Sequence, residues 1–298
     1  MLGPISSRLR PAFSADGRSL VIAALVGDAT LLTSLVLVDF HLGTAQVIPA
    51  DRGRIYLTPA LNPDGSMVAF VSADAADPRG GRELWLMKTD GSNRQRLIVA
   101  DDLGGVFGFA SDGHSVCFSE STMLRCVDLQ SGVMASFEGE PWTFDYGLSG
   151  DWRATSPTFV GAFFDSAKSE VRLAVADGPA ASRRVIGVVR AGSPRWRPGS
   201  DDLLYRLGNS LVVTSGLNTT GRVLAPRLPV TRAEWAPTGE VILYIGIESP
   251  GLQTAGTLDS LALRQMRPDG SADERVFPKS PEQPLAGLAD IIAFEMAR

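Results

Sequence analysis

Five charged residues of this sequence could bind a polar ligand or catalyse a reaction of that ligand. Asp145 and Glu234 are carboxylates, which serve as general acids and bases when they contact a substrate. Arg195 and Arg232 could stabilise negative charge that develops during such a reaction. Together with Arg10, they could also hold an anionic ligand through bidentate hydrogen bonds. The same five residues could instead pair with one another and only join neighbouring elements.

These side chains lie in or beside a repeat that occurs six times. Each copy places an aromatic residue or leucine shortly before a turn, as in PAFSADG, PALNPDG, FGFASDG, FDYGLSG, PRWRPGS and AEWAPTG. Subtracting neighbouring positions of this column gives steps of 48, 48, 37, 50 and 39 residues, a period typical of propellers and other arrays. The column consists of Phe13, Leu61, Phe109, Tyr146, Trp196 and Trp235.

Each copy is followed by two apolar strands joined by a Gly- or Asp-containing turn, as in LWLMKTDGSNRQRLI. A single four-stranded meander sheet cannot bury both of its faces. Several such sheets packed radially around a common axis bury each other's faces. The sequence therefore predicts an all-β fold, one six-bladed β-propeller domain over residues 1–298 with a column side chain between neighbouring blades. The approximate blades are 8–50, 55–100, 104–138, 141–188, 190–226 and 230–278, with 280–298 as a closing tail.

Ligands of propellers usually bind over the central channel, so residues that flank the inner strands, including Thr58, are candidates. Trp142 and Asp145 lie in EGEPWTFDYGLSGDW, the copy that departs furthest from the repeat. Such a departure can mark a grafted site or plain drift. The predicted ligand-binding residues are Arg10, Trp142, Asp145, Arg195, Arg232 and Glu234, of which Asp145, Glu234, Arg195 and Arg232 would be catalytic in an enzyme.

Charge and hydropathy exclude two classes of partner. The net charge is −5, from 28 Lys and Arg against 33 Asp and Glu, and no long basic run offers a nucleic-acid groove. No stretch approaches the roughly 20 apolar residues of a membrane helix. We therefore expect a soluble monomer, bacterial by its preference for Arg over Lys. It would be cytoplasmic as written, and periplasmic or exported if a leader has been removed.

The two cysteines are placed to face each other. If SVCFSESTMLRCV turns at Ser121 and Thr122, Cys117 lies opposite Cys126 on the neighbouring strand. A disulfide would suit an exported protein, whereas two reduced thiols packed side by side would suit the cytosol. The sequence leaves both alternatives open.

The segments RPAFSADGRSLVIAA and TPALNPDGSMVAFVSADAADPRGGRELWLMKTDGSNRQRLI resemble the WD40-like Pro-Asp-Gly repeat of the TolB-type six-bladed propellers. The likeness runs from residue 11 to about residue 277. It implies the fold and leaves the function open, because this repeat also builds propellers of prolyl oligopeptidase relatives, oligogalacturonate lyases and standalone binding proteins. The oligopeptidase relatives need a hydrolase domain with Gly-x-Ser-x-Gly, which this chain lacks.

A metal site of the oligogalacturonate lyase kind would need several histidines, and the chain has only His41 and His114. His41 reads as a hairpin-turn residue and His114 follows the Asp-Gly turn, so we expect that neither binds a metal and that no cofactor is needed. The first functional hypothesis is thus a non-catalytic scaffold that binds a protein, a peptide or a small polar ligand through its loop face and channel mouth. The alternative is a small-molecule lyase, cyclase or hydrolase of bacterial secondary metabolism. A sugar-binding module would need exposed tryptophans, for which Trp85, Trp142 and Trp152 are available.

Overall fold

Every regular element of the described chain is a β-strand. No helix long and apolar enough to cross a membrane occurs in that part of the chain. The computed structural model describes residues 12–14, 18–25, 33–39, 41–78, 80–121, 123–137, 150–153, 156, 158–165, 167–178, 184–188, 194–217, 221–236, 238–247 and 261–277.

The strands form six antiparallel sheets, and each sheet contains four consecutive strands hydrogen-bonded in chain order. Blade 1 contains β1 (Ala12–Phe13), β2 (Ser19–Leu25), β3 (Thr33–Asp39) and β4 (Thr44–Ile48). Blade 2 contains β5 (Arg54–Leu61), β6 (Met67–Asp74), β7 (Arg82–Lys88) and β8 (Gln95–Ala100). Blade 3 contains β9 (Leu103–Phe109), β10 (Ser115–Glu120), β11 (Met123–Asp128) and β12 (Met134–Ser136).

The remaining three sheets repeat this order. Blade 4 contains β13 (Gly150–Trp152), β14 (Thr158–Asp165), β15 (Glu170–Asp177) and β16 (Arg184–Val188). Blade 5 contains β17 (Arg195–Trp196), β18 (Leu203–Leu207), β19 (Ser210–Thr214) and β20 (Arg222–Leu224). Blade 6 contains β21 (Val230–Trp235), β22 (Ile242–Ile247), β23 (Leu261–Met266) and β24 (Glu274–Phe277). The fold is a six-bladed β-propeller, which confirms the fold class predicted from the repeat.

The repeated turn follows the inner strand of each blade. In blade 2, the backbone N–H of Asn62 donates to Met67 O over 3.0 Å, and Gly65 supplies the positive φ of 73° that the turn requires. The carboxylate of Asp64 accepts the N–H of Ser66 over 2.9 Å, and the hydrogen bonds from Ser66 hold the pKa of Asp64 below its usual value. Local hydrogen bonding by Asp and the freedom of Gly thus explain why the Asp-Gly text recurs.

Trp152 holds the column position in blade 4, which corrects the prediction of Tyr146. The residue after Trp152, Arg153, donates its N–H to Thr158 O over 2.9 Å, just as Arg197, the residue after Trp196, donates its N–H to Asp202 O over 2.8 Å. The text FDYGLSG resembles the turn, but strand β13 begins only at Gly150. The column steps around this copy become 43 and 44 residues, instead of 37 and 50. Tyr146 itself lies outside the described residues.

The chain divides into two compact units. The first consists of Met1–Leu148, Trp152–Phe159 and Ala176–Arg183 and contains blades 1 to 3. The second consists of Ser149–Asp151, Val160–Val175 and Arg184–Arg298 and contains blades 5 and 6. The strands of blade 4 are shared between the two units.

The column side chains are part of the cores between blades. In the first unit, Leu61 packs with the apolar residues of blades 1 and 2, and Phe109 with those of blades 2 and 3. In the second unit, Trp196 packs with blade 4 residues such as Leu173, and Trp235 packs with blade 5 residues such as Leu204. The expectation that these side chains fill the space between blades is therefore confirmed at four positions.

The two cysteines of blade 3 lie directly opposite each other on β10 and β11, as the turn position predicts. Cys117 and Cys126 are joined by a disulfide, with their Cα atoms 4.0 Å apart. Both are buried, at 0% and 2% exposure. Of the two alternatives left open by the sequence, the structure contains the bridge.

A buried charge cluster fixes the closing hairpin of blade 6. Arg264 Nε lies 2.7 Å from Asp273 Oδ1, and both side chains are less than one-tenth exposed. The Tyr244 hydroxyl and the Arg227 backbone N–H each donate to Asp273 over 2.8 Å, so the hairpin is joined to the segment before β21. Burial favours the neutral carboxyl, but these donors outweigh burial and hold the pKa of Asp273 below its usual value.

Candidate functional site

The structure brings two of the predicted site residues together on the inner strands of blades 5 and 6. Arg195 Nε lies 2.5 Å from Glu234 Oε2. A second nitrogen of the guanidinium, Nη1, donates to Pro194 O over 2.7 Å and to Gly150 O over 3.3 Å. Arg195 is 5% exposed, whereas the Glu234 side chain is 35% exposed. The pair thus links three inner strands through one buried cation.

The electrostatics of Arg195 follow from its carboxylate neighbours. Burial disfavours the charged guanidinium, but the charges of Glu234 and Asp151 together with the Glu234 hydrogen bond outweigh it, so the pKa of Arg195 is raised. A permanent positive charge inside the protein is tolerated only when it is paired and hydrogen-bonded. The environment of Arg195 meets that condition.

Asp151 is a third member of this arrangement, and the sequence analysis missed it. Its Oδ2 accepts the backbone N–H of Trp196 over 2.9 Å. The three residues Asp151, Arg195 and Glu234 each stand immediately before the column tryptophan of blades 4, 5 and 6, and we call them the charged row. The signal was present in GDWR, PRWR and AEWA. It was hidden because the fourth copy was aligned on Tyr146.

The column tryptophans themselves tie blades 5 and 6 together beside the charged row. Trp235 Nε1 donates to Arg195 O over 3.2 Å. The guanidinium of Arg197 lies 5.4 Å from the centre of the Trp235 ring, donates to Gly239 O over 2.7 Å and pairs with Asp202 over 2.9 Å. Aromatic and ionic contacts therefore reinforce the same junction.

The other predicted ligand-binding residues are not brought to this place by the described part of the chain. Arg10, Trp142 and Asp145 lie outside the described residues. Arg232 belongs to β21, where its backbone pairs with Ile245 of β22, and its side chain is not among those that the structure describes. Only Arg195 and Glu234 of the predicted set can therefore be located as side chains.

Thr58 occupies an irregular point of the inner strand of blade 2. Its φ is 44°, unusual for a β-branched residue, at a register shift between Leu57 and Ala60. Its hydroxyl accepts the N–H of Val106 over 3.1 Å, and a Cβ on Gly105 would lie 3.0 Å from the Thr58 side chain. The strained backbone of Thr58 therefore lies where blades 2 and 3 pack closely together, and its side chain takes part in that contact.

The two histidine candidates lie in exposed turns, and two of the tryptophan candidates contact neighbouring side chains. His41 and His114 are exposed in turns, as predicted, and each donates its backbone N–H to a nearby aspartate. No group of three or more His, Cys, Asp or Glu side chains in the described ranges could hold a metal ion. Trp85 donates Nε1 to Glu83 over 2.9 Å, and Trp152 packs against Phe159 with ring centres 5.1 Å apart.

Comparison with known proteins shows a likeness of fold. No family model matches the chain, and no curated protein matches it. Among solved structures, the TolB of Acinetobacter baumannii is 20% identical with a TM-score of 0.54, covering 72% of this chain and 53% of that chain. This chain therefore spans about half the length of that TolB.

Two further structures cover more of the chain. The propeller domain of the Trilobed protease from Pyrococcus furiosus is 12% identical with a TM-score of 0.63, covering 90% of this chain and 84% of that chain. An oligogalacturonate lyase in complex with manganese is 14% identical with a TM-score of 0.61, covering 90% of this chain and 76% of that chain. What this chain shares with TolB, a protease domain and a lyase is the six-bladed β-propeller fold.

Proposed function

We propose that this protein is a non-catalytic, TolB-like binding scaffold that holds a protein, a peptide or a small polar ligand through the loops around its inner strands. The TolB-type repeat text and the structural likeness to TolB both support this reading. Loops carried on a rigid β scaffold are the usual place for binding residues.

The observation that carries the proposal is the engagement of Arg195. An enzyme of the kind considered above would use Arg195 to stabilise developing negative charge and Glu234 as acid or base. The guanidinium is 5% exposed and already donates to Glu234 and to two backbone carbonyls. The engagement of this side chain by these partners supports a structural role at the blade junction.

The competing enzyme reading is supported by the likeness to an oligogalacturonate lyase with manganese. The described residues contain no group of three or more His, Cys, Asp or Glu side chains that could hold a metal ion. The enzyme reading therefore serves as the outcome to be tested.

The experiment has two arms with the same purified chain. In the first arm, oligogalacturonate and Mn²⁺ are added and the unsaturated product is followed by its ultraviolet absorbance; we expect no turnover. In the second arm, a partner found by cross-linking to native extract is purified and titrated calorimetrically. We expect saturable binding that Glu234→Gln leaves unchanged. Turnover by the wild type that Glu234→Gln abolishes would overturn the proposal.

A further inference from the structure

The outer strand of each blade ends its sheet and presents unpaired backbone groups, which is a risk for unwanted pairing with another chain. Natural proteins protect such edges by keeping them very short, by placing charges on them or by interrupting them with bulges. The six outer strands of this protein differ in how far they are protected.

Five of the outer strands carry at least one of these protections. Strands β12 and β20 have only three residues each. Strands β8, β16 and β24 each contain a shift in register against the neighbouring third strand. The same three strands also carry charged side chains: Arg96 in β8, Arg184 in β16, and Glu274 and Arg275 in β24.

Strand β4 of blade 1 has none of these protections. It runs for five residues, Thr44–Ile48, and its pairing with β3 is uninterrupted from Asp39↔Thr44 to Leu35↔Ile48. Its sequence, TAQVI, contains no charged residue and no proline or glycine. Its first four side chains are exposed, and Leu42 in the preceding turn is 68% exposed. In the described chain, no strand pairs with its outer side.

We propose that β4 is a dimerisation edge, at which a second copy of this chain adds its own β4 antiparallel to the first. Two copies related by a two-fold axis at Gln46 would place Gln46 opposite Gln46, Ala45 opposite Val47, and Thr44 opposite Ile48. Thr44, Val47 and Ile48 are β-branched and suit a paired strand, and Gln46, whose Nε2 donates to Asp90 O over 3.4 Å, would lie at the axis. The two blades would then form one continuous sheet across an isologous interface.

Charge identifies a second copy as the occupant. Each chain has a net charge of −5, so two copies approach best where neither carries charge. Like charges directly opposite each other destabilise a strand pair, and an edge that pairs with itself near a two-fold axis must therefore be neutral. An edge built for a different strand could use complementary charges instead. The uncharged β4 fits the first condition, although the sequence alone predicts a monomer.

Sedimentation velocity over a series of protein concentrations tests this interface, and it does so independently of the proposed binding function. We expect the wild type to show a dimer whose fraction rises with concentration. Val47→Lys places a charge on the edge and should raise the dimer dissociation constant about tenfold or more. The matched control is Val99→Lys, a similarly exposed valine on the bulged strand β8, which should leave the dimer unchanged.

A charge-swap variant tests the register. Ala45→Glu alone should also weaken the dimer. In the double variant Ala45→Glu with Val47→Lys, each glutamate lies opposite a lysine of the other copy, and these two opposite-charge pairs should restore the dimer. Equal circular dichroism spectra of all variants, and equal melting temperatures at a concentration at which the wild type is monomeric, show that each is folded. A wild type that is monomeric at every concentration, a Val47→Lys variant that dimerises normally, or a double variant that is not restored would overturn the proposal.

Discussion

Arg195 and Glu234 hold the same position in neighbouring blades, one residue before Trp196 and Trp235, and their side chains join the two inner strands over 2.5 Å. Asp151 holds that position in blade 4 and accepts the N–H of Trp196. In blades 1 to 3 the same position is taken by the small residues Ala12, Ala60 and Gly108. The charged row is therefore a property of one half of the repeat array.

Asp151→Ala should lower the free energy of unfolding by about 1–2 kcal/mol, because it removes the acceptor of the Trp196 N–H and a negative charge beside Arg195. Asp151→Asn keeps an acceptor oxygen and should lose less. Urea denaturation of the three proteins measures the difference. Equal stability of the Ala and Asn variants would show that the hydrogen bond to Trp196 has no energetic role.

Trp152→Ala should cost about 3–5 kcal/mol of stability, as removal of a large aromatic side chain from a packed cluster does. Trp152 contacts Phe137 and Phe159, and we assign it the column position held by Trp196 in blade 5. Trp196→Ala is therefore the matched comparison in the same denaturation experiment. A loss below about 1 kcal/mol for Trp152→Ala alone would contradict the corrected repeat.

The sequence was sufficient to predict the six sheets, the turn chemistry and the cysteine register, because each depends on residues close together in the chain. It placed the fourth copy at Tyr146 because FDYGLSG has the aromatic and glycine of the turn, whereas the strand starts later, at Gly150. That error concealed Asp151. The pairing of Arg195 with Glu234 was one of two open alternatives, because the choice between a partner and a ligand depends on distances across blades.

The disulfide should stabilise blade 3 by restricting the unfolded chain. Cys117 and Cys126 are nine residues apart, and closing a loop of that size contributes about 2–3 kcal/mol in the chain-entropy model. The double variant Cys117→Ala with Cys126→Ala should therefore unfold at lower urea concentration than the oxidised wild type. The wild type in a reducing agent is the control and should shift in the same direction. An unchanged midpoint in both would contradict the bridge.

Asp273 should contribute to acid sensitivity. Because its pKa is lowered on folding, its contribution is complete above the unfolded-state pKa of about 3.9 and is lost as the pH falls through the lower folded-state pKa. Asp273→Asn should lower stability by about 3–5 kcal/mol at neutral pH, since it leaves Arg264 buried without its partner. It should also flatten the fall in stability below pH 4. Parallel pH profiles of the variant and the wild type would contradict this assignment.

A double-mutant cycle on Arg195 and Glu234 tests most directly whether this pair is structural. The free energies of unfolding are measured for Arg195→Met, Glu234→Gln and the double variant, with Glu240→Gln in an exposed turn as the control partner. The account predicts a coupling free energy of about 1–3 kcal/mol between Arg195 and Glu234. The effects of Arg195→Met and Glu240→Gln on the free energy of unfolding should instead be additive. A coupling below about 0.5 kcal/mol would contradict the structural role of the pair, because the two side chains would then contribute to stability independently of each other.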